Sequence, residues 1–269
     1  MVNLLITSPE GYAQRLVRAF EAPCAMSHFQ LVSRPMIQTL TAIDTPLCHD
    51  FFLHLDDYDY VVFSSRKAIE AFALGLEKTG IQVPGSLRLC AIGKDNELLQ
   101  ERLHLQPDFI SEEPSPMGIV RHLEQLPETN GKRIAVLAPE VVGMEEPRIV
   151  PDFIRGLENI GMVVSRINVY QTKAASAALL AQIAEELLRG TYDAVVFTSG
   201  TEIKVFQRLV SEGMVTADLW KRLTVICYGP YTAQCAAQYG VSVDFTSSSF
   251  GSFQGLAEQI RIFYKQDKN

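Results

Sequence analysis

Redox and metal motifs are missing from this chain. Its five cysteines, Cys24, Cys48, Cys90, Cys227 and Cys235, are odd in number and form no CxxC pair, which excludes a disulfide scaffold and a zinc ribbon. Cys90 and Cys227 sit at matching places in apolar runs, so the expectation is buried free thiols in a reducing compartment. Cys48, His49 and His54 crowd one short amphipathic segment but lack a fourth ligand and any zinc-type spacing. The phosphate loops GxGxxG and GxxxxGKS/T are absent, as are the GxSxG, HExxH and Cys-His nucleophile patterns. None of the five histidines, His28, His49, His54, His104 and His122, stands in a motif. No uncharged apolar run approaches the ~20 residues that span a bilayer, and no basic segment leads a cleavable apolar one at the N-terminus. A cytoplasmic protein is expected. Positive charge is also scarce: 24 Lys and Arg against 31 Asp and Glu give a net charge of −7. The basic residues are scattered, which argues against nucleic-acid binding. Any polyanionic ligand must therefore be held by local donors.

What is present is an internal repeat. The segment from Tyr58 to Phe72, with Val61-Val-Phe-Ser-Ser65 at its centre, returns from Tyr192 to Phe206 as Val195-Val-Phe-Thr-Ser199, with eight of fifteen positions identical. Leu89-Cys-Ala-Ile-Gly93 is answered by Val225-Ile-Cys-Tyr-Gly229, and Pro107-Asp108-Phe109 by Val243-Asp244-Phe245. A looser pair joins Leu4-Leu-Ile-Thr-Ser-Pro-Glu10 to Ile134-Ala-Val-Leu-Ala-Pro-Glu140. Two copies of a unit of roughly 130 residues imply two similar lobes with a cleft between them. A composition of 47% hydrophobic and 20% charged residues supplies a core for each.

Short β-rich runs at 4–7, 29–33, 61–64, 89–92, 108–110, 134–138, 163–170, 195–198, 224–228 and 241–245 alternate with stretches of helical period. This alternation predicts an α/β fold with parallel sheets covered by helices. Ser199 and Glu202 are spaced as a capping box, Ser115-Pro116 as an N-cap followed by proline at the first helical position, and Gly80, Gly131 and Gly161 as C-cap or turn residues. Each half holds an opening strand-helix-strand unit and a longer unit. Either each half forms its own lobe, or the halves interleave and the chain crosses twice, near 34–42 and 168–174; periodicity does not choose.

The turns after the strands collect small polar residues: Thr7-Ser8-Pro9, Ser64-Ser65, Gly93-Lys94-Asp95-Asn96, Ala138-Pro139, Thr198-Ser199-Gly200 and Gly229-Pro230-Tyr231-Thr232. Ligands of open parallel sheets bind beyond the strands' carboxyl ends, and helix N-termini accept anions, so these turns suit a ligand with many carboxylates. Each taken singly also serves as a plain helix cap. No catalytic dyad stands out, which leaves chemistry that needs positioning and one or two weak acids. Tyr170, in Asn168-Val-Tyr-Gln-Thr172 at the second crossing, is singled out as a phenol that can donate a proton or hydrogen bond; the plain alternative is a strand tyrosine packing its ring on a lobe.

The order and spacing of four segments carry a resemblance over nearly the whole chain: Val195-Val-Phe-Thr-Ser-Gly200 before a helix, Gly229-Pro-Tyr-Thr-Ala233 with Gly240 and Asp244 beyond it, Leu157 to Gly161 leading into Val169-Tyr-Gln-Thr172, and Ser252 to Ile260 as a final helix entry. The chain resembles the uroporphyrinogen-III synthase family. The resemblance implies two flavodoxin-like lobes, each a parallel sheet flanked by helices, joined by a two-stranded connection. That selects the interleaved arrangement, with residues 1–37 plus 172–269 as one lobe and 38–171 as the other, and with the matched turns at Ser64-Ser65 and Thr198-Ser199 facing the cleft. It further implies a cofactor-free enzyme that closes hydroxymethylbilane to uroporphyrinogen III with loss of water and inversion of ring D. Tyr170 is the implied partner of the leaving group. Ser64, Ser65, Arg66, Lys94, Asn96, Thr198, Ser199, Gly200, Tyr231 and Thr232 are the implied substrate contacts, through hydroxyls, side-chain cations and backbone N–H groups. Ser8 and Glu140 stand where the family often has arginine, and Asn96 where it often has threonine; Arg66, Lys67, Lys94 or Arg148 compensate. A monomer that binds neither nucleic acid nor membrane is expected. A non-catalytic tetrapyrrole-binding or regulatory paralogue of the same fold is the competing reading, followed by an unrelated flavodoxin-like enzyme.

Overall fold

The computed structural model describes residues 1–21 and 28–266, and every side chain among them except that of Lys94; Cys24 lies outside the described residues. In chain order the elements begin with β1 (Val2–Ile6), α1 (Glu10–Glu21), β2 (Phe29–Ser33), β3 (Ile37–Thr41), α2 (Pro46–Leu53), β4 (Tyr60–Phe63) and α3 (Arg66–Thr79). They continue with β5 (Arg88–Ala91), α4 (Asn96–Leu103), α5 (Pro116–Glu124), β6 (Arg133–Val142), α6 (Ile149–Asn159) and β7 (Val163–Ala174). The last third holds α7 (Ala177–Leu188), β8 (Ala194–Phe197), α8 (Gly200–Ser211), β9 (Thr224–Cys227), α9 (Pro230–Gln238), β10 (Phe245–Thr246) and α10 (Phe253–Gln266).

These strands build two five-stranded sheets, ordered β10-β9-β8-β1-β2 and β3-β7-β6-β4-β5. The chain divides accordingly into two compact units, Met1–Gln38 with Lys173–Asn269, and Thr39–Thr172. β1 pairs in parallel with both β2 and β8, matching Leu4, Leu5 and Ile6 to Ala194, Val195 and Val196. β4 lies parallel to β5 and β6. The repeat is thus interleaved: β8, β9 and β1 of one sheet correspond to β4, β5 and β6 of the other. A one-lobe-per-half arrangement is excluded because β1 and β8 come from opposite halves.

Continuous apolar runs explain why these strands are central. β4 and β8 are buried at every position, the pattern of a parallel strand covered on both faces. Alternation then divides the side chains of the second sheet between two cores. Val61, Phe63, Leu89 and Leu137 meet the aromatic cluster of Phe51, Phe52 and Phe72 from α2 and α3. Tyr60, Val62, Cys90 and Val136 meet Ile119, Leu123, Phe153 and Leu157 from α5 and α6. In the first sheet Leu4, Ile6, Ala194 and Val196 pack with Leu16, Phe20, Leu256 and Ile260 of α1 and α10.

The chain passes between the units twice, within β3 and within β7. Ala42 N–H donates to Val169 O and Ala175 N–H to Met36 O, both at 2.9 Å; the opposed numbering makes this strand pair antiparallel. Just before β3, the Arg34 guanidinium forks onto Glu186 of α7 at 3.0 Å, and Gln182 and the Tyr192 hydroxyl donate to the same carboxylate. Arg34 above all holds the Glu186 carboxyl down at about 2. One exit from the first unit is thereby fastened to the helix that follows the return.

Two expected strands change. Residues 108–110 form none, and 241–245 contract to the two residues of β10. In both copies an aspartate side chain replaces a ladder bond: Asp108 accepts from Leu89 N–H and Asp244 from Val225 N–H, each at 2.7 Å. After Asp244 the ladder resumes, with Ser247 N–H on Cys227 O. After Asp108, Phe109 instead stacks on His122 of α5, 4.3 Å between centroids, and Ile110 faces solvent. Ser115 caps α5 through Gly118 N–H, with Pro116 behind it, and Gly80 closes α3 at φ +69°. No helix among the described residues is long and apolar enough to cross a membrane.

The second unit's aromatic core sets one packing limit. A Cβ on Gly75 of α3 would overlap the ring of Phe52, and that ring is stacked on Phe72. Gly75→Ala is expected to destabilise the protein by about 1–3 kcal/mol through overpacking, read as a lower urea midpoint with an unchanged slope.

Candidate active site

In the second unit the turn from β4 into α3 is Ser64-Ser65-Arg66. Ser65 takes extended backbone at the N-cap, and its Oγ accepts from Ala68 N–H at 3.3 Å. The same Oγ lies 2.9 Å from the hydroxyl of Tyr170, which β7 delivers from the other end of the sheet's sequence. Ser65 therefore joins a helix cap to a phenol through one hydroxyl, which has both lone pairs and a proton to offer. Beside it, Ser64 Oγ is buried without a hydrogen-bond partner.

The ring of Tyr170 packs in the buried core that contains Phe63 and Phe72, and the residue is 6% exposed. Burial pushes the phenol up to about 12, with the Ser65 hydrogen bond opposing. Asp95 adds to the rise and Arg166 counters it. Arg166, four residues earlier on the same strand, is clamped by Glu146 at 2.6 and 2.9 Å and by Asn168 at 2.8 Å. Sequence reasoning passed over Arg166; its alternation with Val164 and Asn168 is shared by any half-buried strand and carried no distinguishing signal.

The turn after β5 is built differently from expectation. Asn96 is buried, and its amide accepts from Ala91 N–H and donates to Ala91 O and Gly93 O at 2.8–2.9 Å. With one acceptor and both amide protons committed to backbone, Asn96 braces the turn rather than offering itself to a ligand. Lys94 lies in the 3-10 turn Gly93–Asp95, and its side chain lies outside the described residues. Arg66 faces Asp95 at 3.7 Å, each side chain about one-fifth exposed. Glu140 accepts from Gln171 at 2.7 Å, and Arg148 is exposed beside Asp152.

In the first unit the corresponding turn is Thr198-Ser199-Gly200, leading into α8. The spacing predicted a capping box, and the structure replaces it. Ser199 is the N-cap but makes no side-chain cap bond. Its hydroxyl donates to Glu202 Oε1 at 2.9 Å, and that of Thr198 to the same oxygen at 2.7 Å. Glu202 Oε2 accepts from Thr198 N–H at 2.8 Å and from Thr7 Oγ1 at 2.7 Å. The carboxyl is buried, which pushes it above the usual carboxylate range while these four bonds pull the other way. A buried acid draws every nearby donor to itself, so the hydroxyls turn inward instead of capping the helix. Glu202 was legible as a helix-start acid; its burial depended on Thr7, far off in the sequence.

Across the same rim Thr232, buried in the first turn of α9, donates to Thr198 O at 3.4 Å, and Tyr231 is half-buried beside it. Ser8 is fully buried, with its hydroxyl unpartnered. The structure thus groups Tyr170, Ser64, Ser65 and Arg66 on one rim, and Thr198, Ser199, Gly200, Tyr231 and Thr232 on another, each within its own unit.

Two α/β units of mostly parallel strands, each with polar turns at the carboxyl ends and one of them holding a buried phenol, define a two-lobed α/β protein. The family model described as uroporphyrinogen-III synthase HemD matches residues 18–256. The chain belongs to the uroporphyrinogen-III synthase family, lyase-type enzymes of tetrapyrrole and heme biosynthesis. Among solved structures, a mutant uroporphyrinogen III synthase from the extremely thermophilic bacterium Thermus thermophilus aligns with a TM-score of 0.66 at 17% identity, covering 98% of this chain and 100% of that one. The wild-type Thermus thermophilus enzyme in a second crystal form aligns with a TM-score of 0.52 at 16% identity, covering 100% of both chains. These likenesses carry the fold. No curated protein sequence matches the chain.

The phenol of Tyr170 yields a pH prediction. Tyrosine titrates near 10 in an unfolded chain and near 12 here. The unfolded state therefore loses this proton first as pH rises, and stability present below pH ~10 declines between about 10 and 12. Urea midpoints measured across that range should fall less steeply in Tyr170→Phe than in the parent; Tyr192, Cys48, Cys90 and Cys227, also raised by burial, contribute to the remaining slope.

Proposed function

We propose that this chain is a cyclising hydro-lyase that converts hydroxymethylbilane to uroporphyrinogen III. Membership of the family supports the reaction, and the Tyr170–Ser65 hydroxyl pair is the observation that carries the site. The pyrrole nitrogen of ring A pushes out the hydroxymethyl oxygen, so the C–O bond breaks with its electrons leaving on oxygen. The protein's part is to give that oxygen a proton. A phenol held at about 12 stays protonated at any physiological pH, yet it is a far stronger acid than water at 15.7, so transfer to a departing hydroxide runs downhill. Ser65, fixed by its cap bond, holds the phenol's direction. The substituted carbon of ring D then attacks the exposed methylene, the spiro intermediate rearranges, and the proton released on rearomatisation restores the phenol. One water is lost and nothing is oxidised or reduced, so the reaction calls for no redox group.

Holding the linear chain in the closing conformation accounts for selectivity, because orientation alone is worth several kcal/mol. The substrate's carboxylates meet a protein of net charge −7. Their partners in this reading are helix-start N–H groups at α3, α8 and α9, supplemented by Arg66 and Lys94. The same reading makes the protein a cytoplasmic monomer that acts on a free tetrapyrrole and binds no nucleic acid.

Supplying hydroxymethylbilane and resolving uroporphyrins I and III after oxidation tests the reaction: isomer III is expected, and isomer I alone at the spontaneous rate would sink it. Tyr170→Phe should lower turnover by about 10²-fold or more, as for loss of a general acid, with isomer III still formed by the residual activity. Turnover equal to the parent's would assign catalysis to positioning alone.

A further inference from the structure

Hydroxyl polarity at the turn between β8 and α8 has a consequence for what that rim recognises. Thr198 and Ser199 each own a single hydroxyl proton, and both protons point at Glu202 Oε1, at 2.7 and 2.9 Å. What each hydroxyl can turn toward a ligand is a lone pair. We propose that Glu202 is a positioning residue that makes the Thr198 and Ser199 hydroxyls acceptors, so that this rim takes pyrrole N–H groups of the tetrapyrrole rather than its carboxylates. The inference rests on the reading of the chain as a tetrapyrrole enzyme and assigns a part of that substrate to this turn. Carboxylates are left to the backbone N–H groups that open α8.

Four donors surround the Glu202 carboxyl, matching the roughly four lone-pair sites of an ionised carboxylate. The Thr198 N–H is fixed by the backbone and fills Oε2 together with Thr7. Thr7 alone has an alternative acceptor, since its Oγ1 also lies 2.8 Å from Val196 O. A proton arriving on Glu202 is therefore accommodated at Oε2, by turning Thr7 toward Val196. Oε1 stays an acceptor in either state, and the outward polarity of Thr198 and Ser199 does not depend on the charge of the acid. Both residues are half-buried, so their oxygens stand at the border between the buried acid and the rim.

Glu202→Gln inverts this arrangement without changing its size. The fixed Thr198 N–H keeps the amide oxygen at the Oε2 position, which puts the NH2 group where Oε1 stood. Its protons then face Thr198 and Ser199, whose hydroxyls turn outward as donors. The probes are uroporphyrinogen III kept reduced, which carries four pyrrole N–H groups as well as carboxylates, and mellitate, which carries carboxylates and no N–H. Glu202→Gln should weaken Kd for uroporphyrinogen III about tenfold and leave mellitate binding unweakened. In a Thr198→Val, Ser199→Ala background the same substitution should have no further effect on the macrocycle, the signature of residues acting through one another. Ser199→Ala alone separates the two polarities should the Glu202 variant not fold. Loss of an acceptor weakens the macrocycle about three- to tenfold and leaves mellitate unchanged, whereas loss of a donor to carboxylates weakens both. An unchanged Kd in folded Glu202→Gln, an equal loss in the double-variant background, or parallel losses for both probes overturns the proposal. A parent chain that binds the macrocycle but yields only isomer I overturns the catalytic reading and leaves this assignment standing.

Discussion

Everything in this molecule depends on the ladder between β1 and β8. Three residue pairs, Leu4 with Ala194, Leu5 with Val195 and Ile6 with Val196, join strands 190 residues apart in the chain. Closing a loop of that length costs on the order of 5 kcal/mol in chain entropy. Burying Leu4, Leu5 and Ile6 completely contributes about 1.5–3 kcal/mol for each side chain, enough to offset it. Once the ladder forms, the intervening segment must leave the first unit and return to it. Both passages run through one antiparallel strand pair, fastened at its start by the Arg34 fork on Glu186.

The same ladder creates the chemistry of the first rim. It brings Thr7, at the end of β1, against the turn that follows β8, and so closes a shell of donors around Glu202. Without that shell a buried carboxyl would be left unsatisfied at a cost of several kcal/mol. The counterpart turn in the second unit has Ala68 where Glu202 would stand, and its Ser65 hydroxyl meets a phenol instead. One copy of the repeat thus presents an internal acid that orients hydroxyls, the other a capped serine bonded to a phenol.

The hydroxyl of Tyr170 shows how separate structural constraints meet at one atom. Its ring is held by the aromatic core of α2 and α3, its hydroxyl by a helix cap, and its proton by burial. Each of these has a structural reason of its own, and the proposed role of the phenol as an acid depends on their coincidence. A protein of net charge −7 can still hold a polyanion when the donors are backbone N–H groups with fixed direction, since those groups carry no charge of their own and act at hydrogen-bond range.

Most local structure was legible in the sequence. Apolar runs marked β4 and β8, helical periods marked the covering helices, and Ser115-Pro116 and Gly80 marked termini where the structure has them, because such patterns depend on residues within a turn or two. Asp108 and Asp244 defeated the strand assignment at equivalent places, since a side chain that imitates the backbone looks from sequence like an ordinary strand end. Asn96 read as a ligand contact because a sequence cannot show that its amide is already bonded. Repeat and family resemblance together pointed to interleaving, while periodicity alone, being local, left it open. What only the tertiary structure decided was direction: which way the hydroxyl protons of Thr198 and Ser199 point, and which hydroxyl Tyr170 meets. That is set by what stands beside each hydroxyl in space: Glu202, with Thr7 brought across the β1–β8 ladder, in the first unit, and Ser65, meeting a strand of the same sheet 105 residues on, in the second.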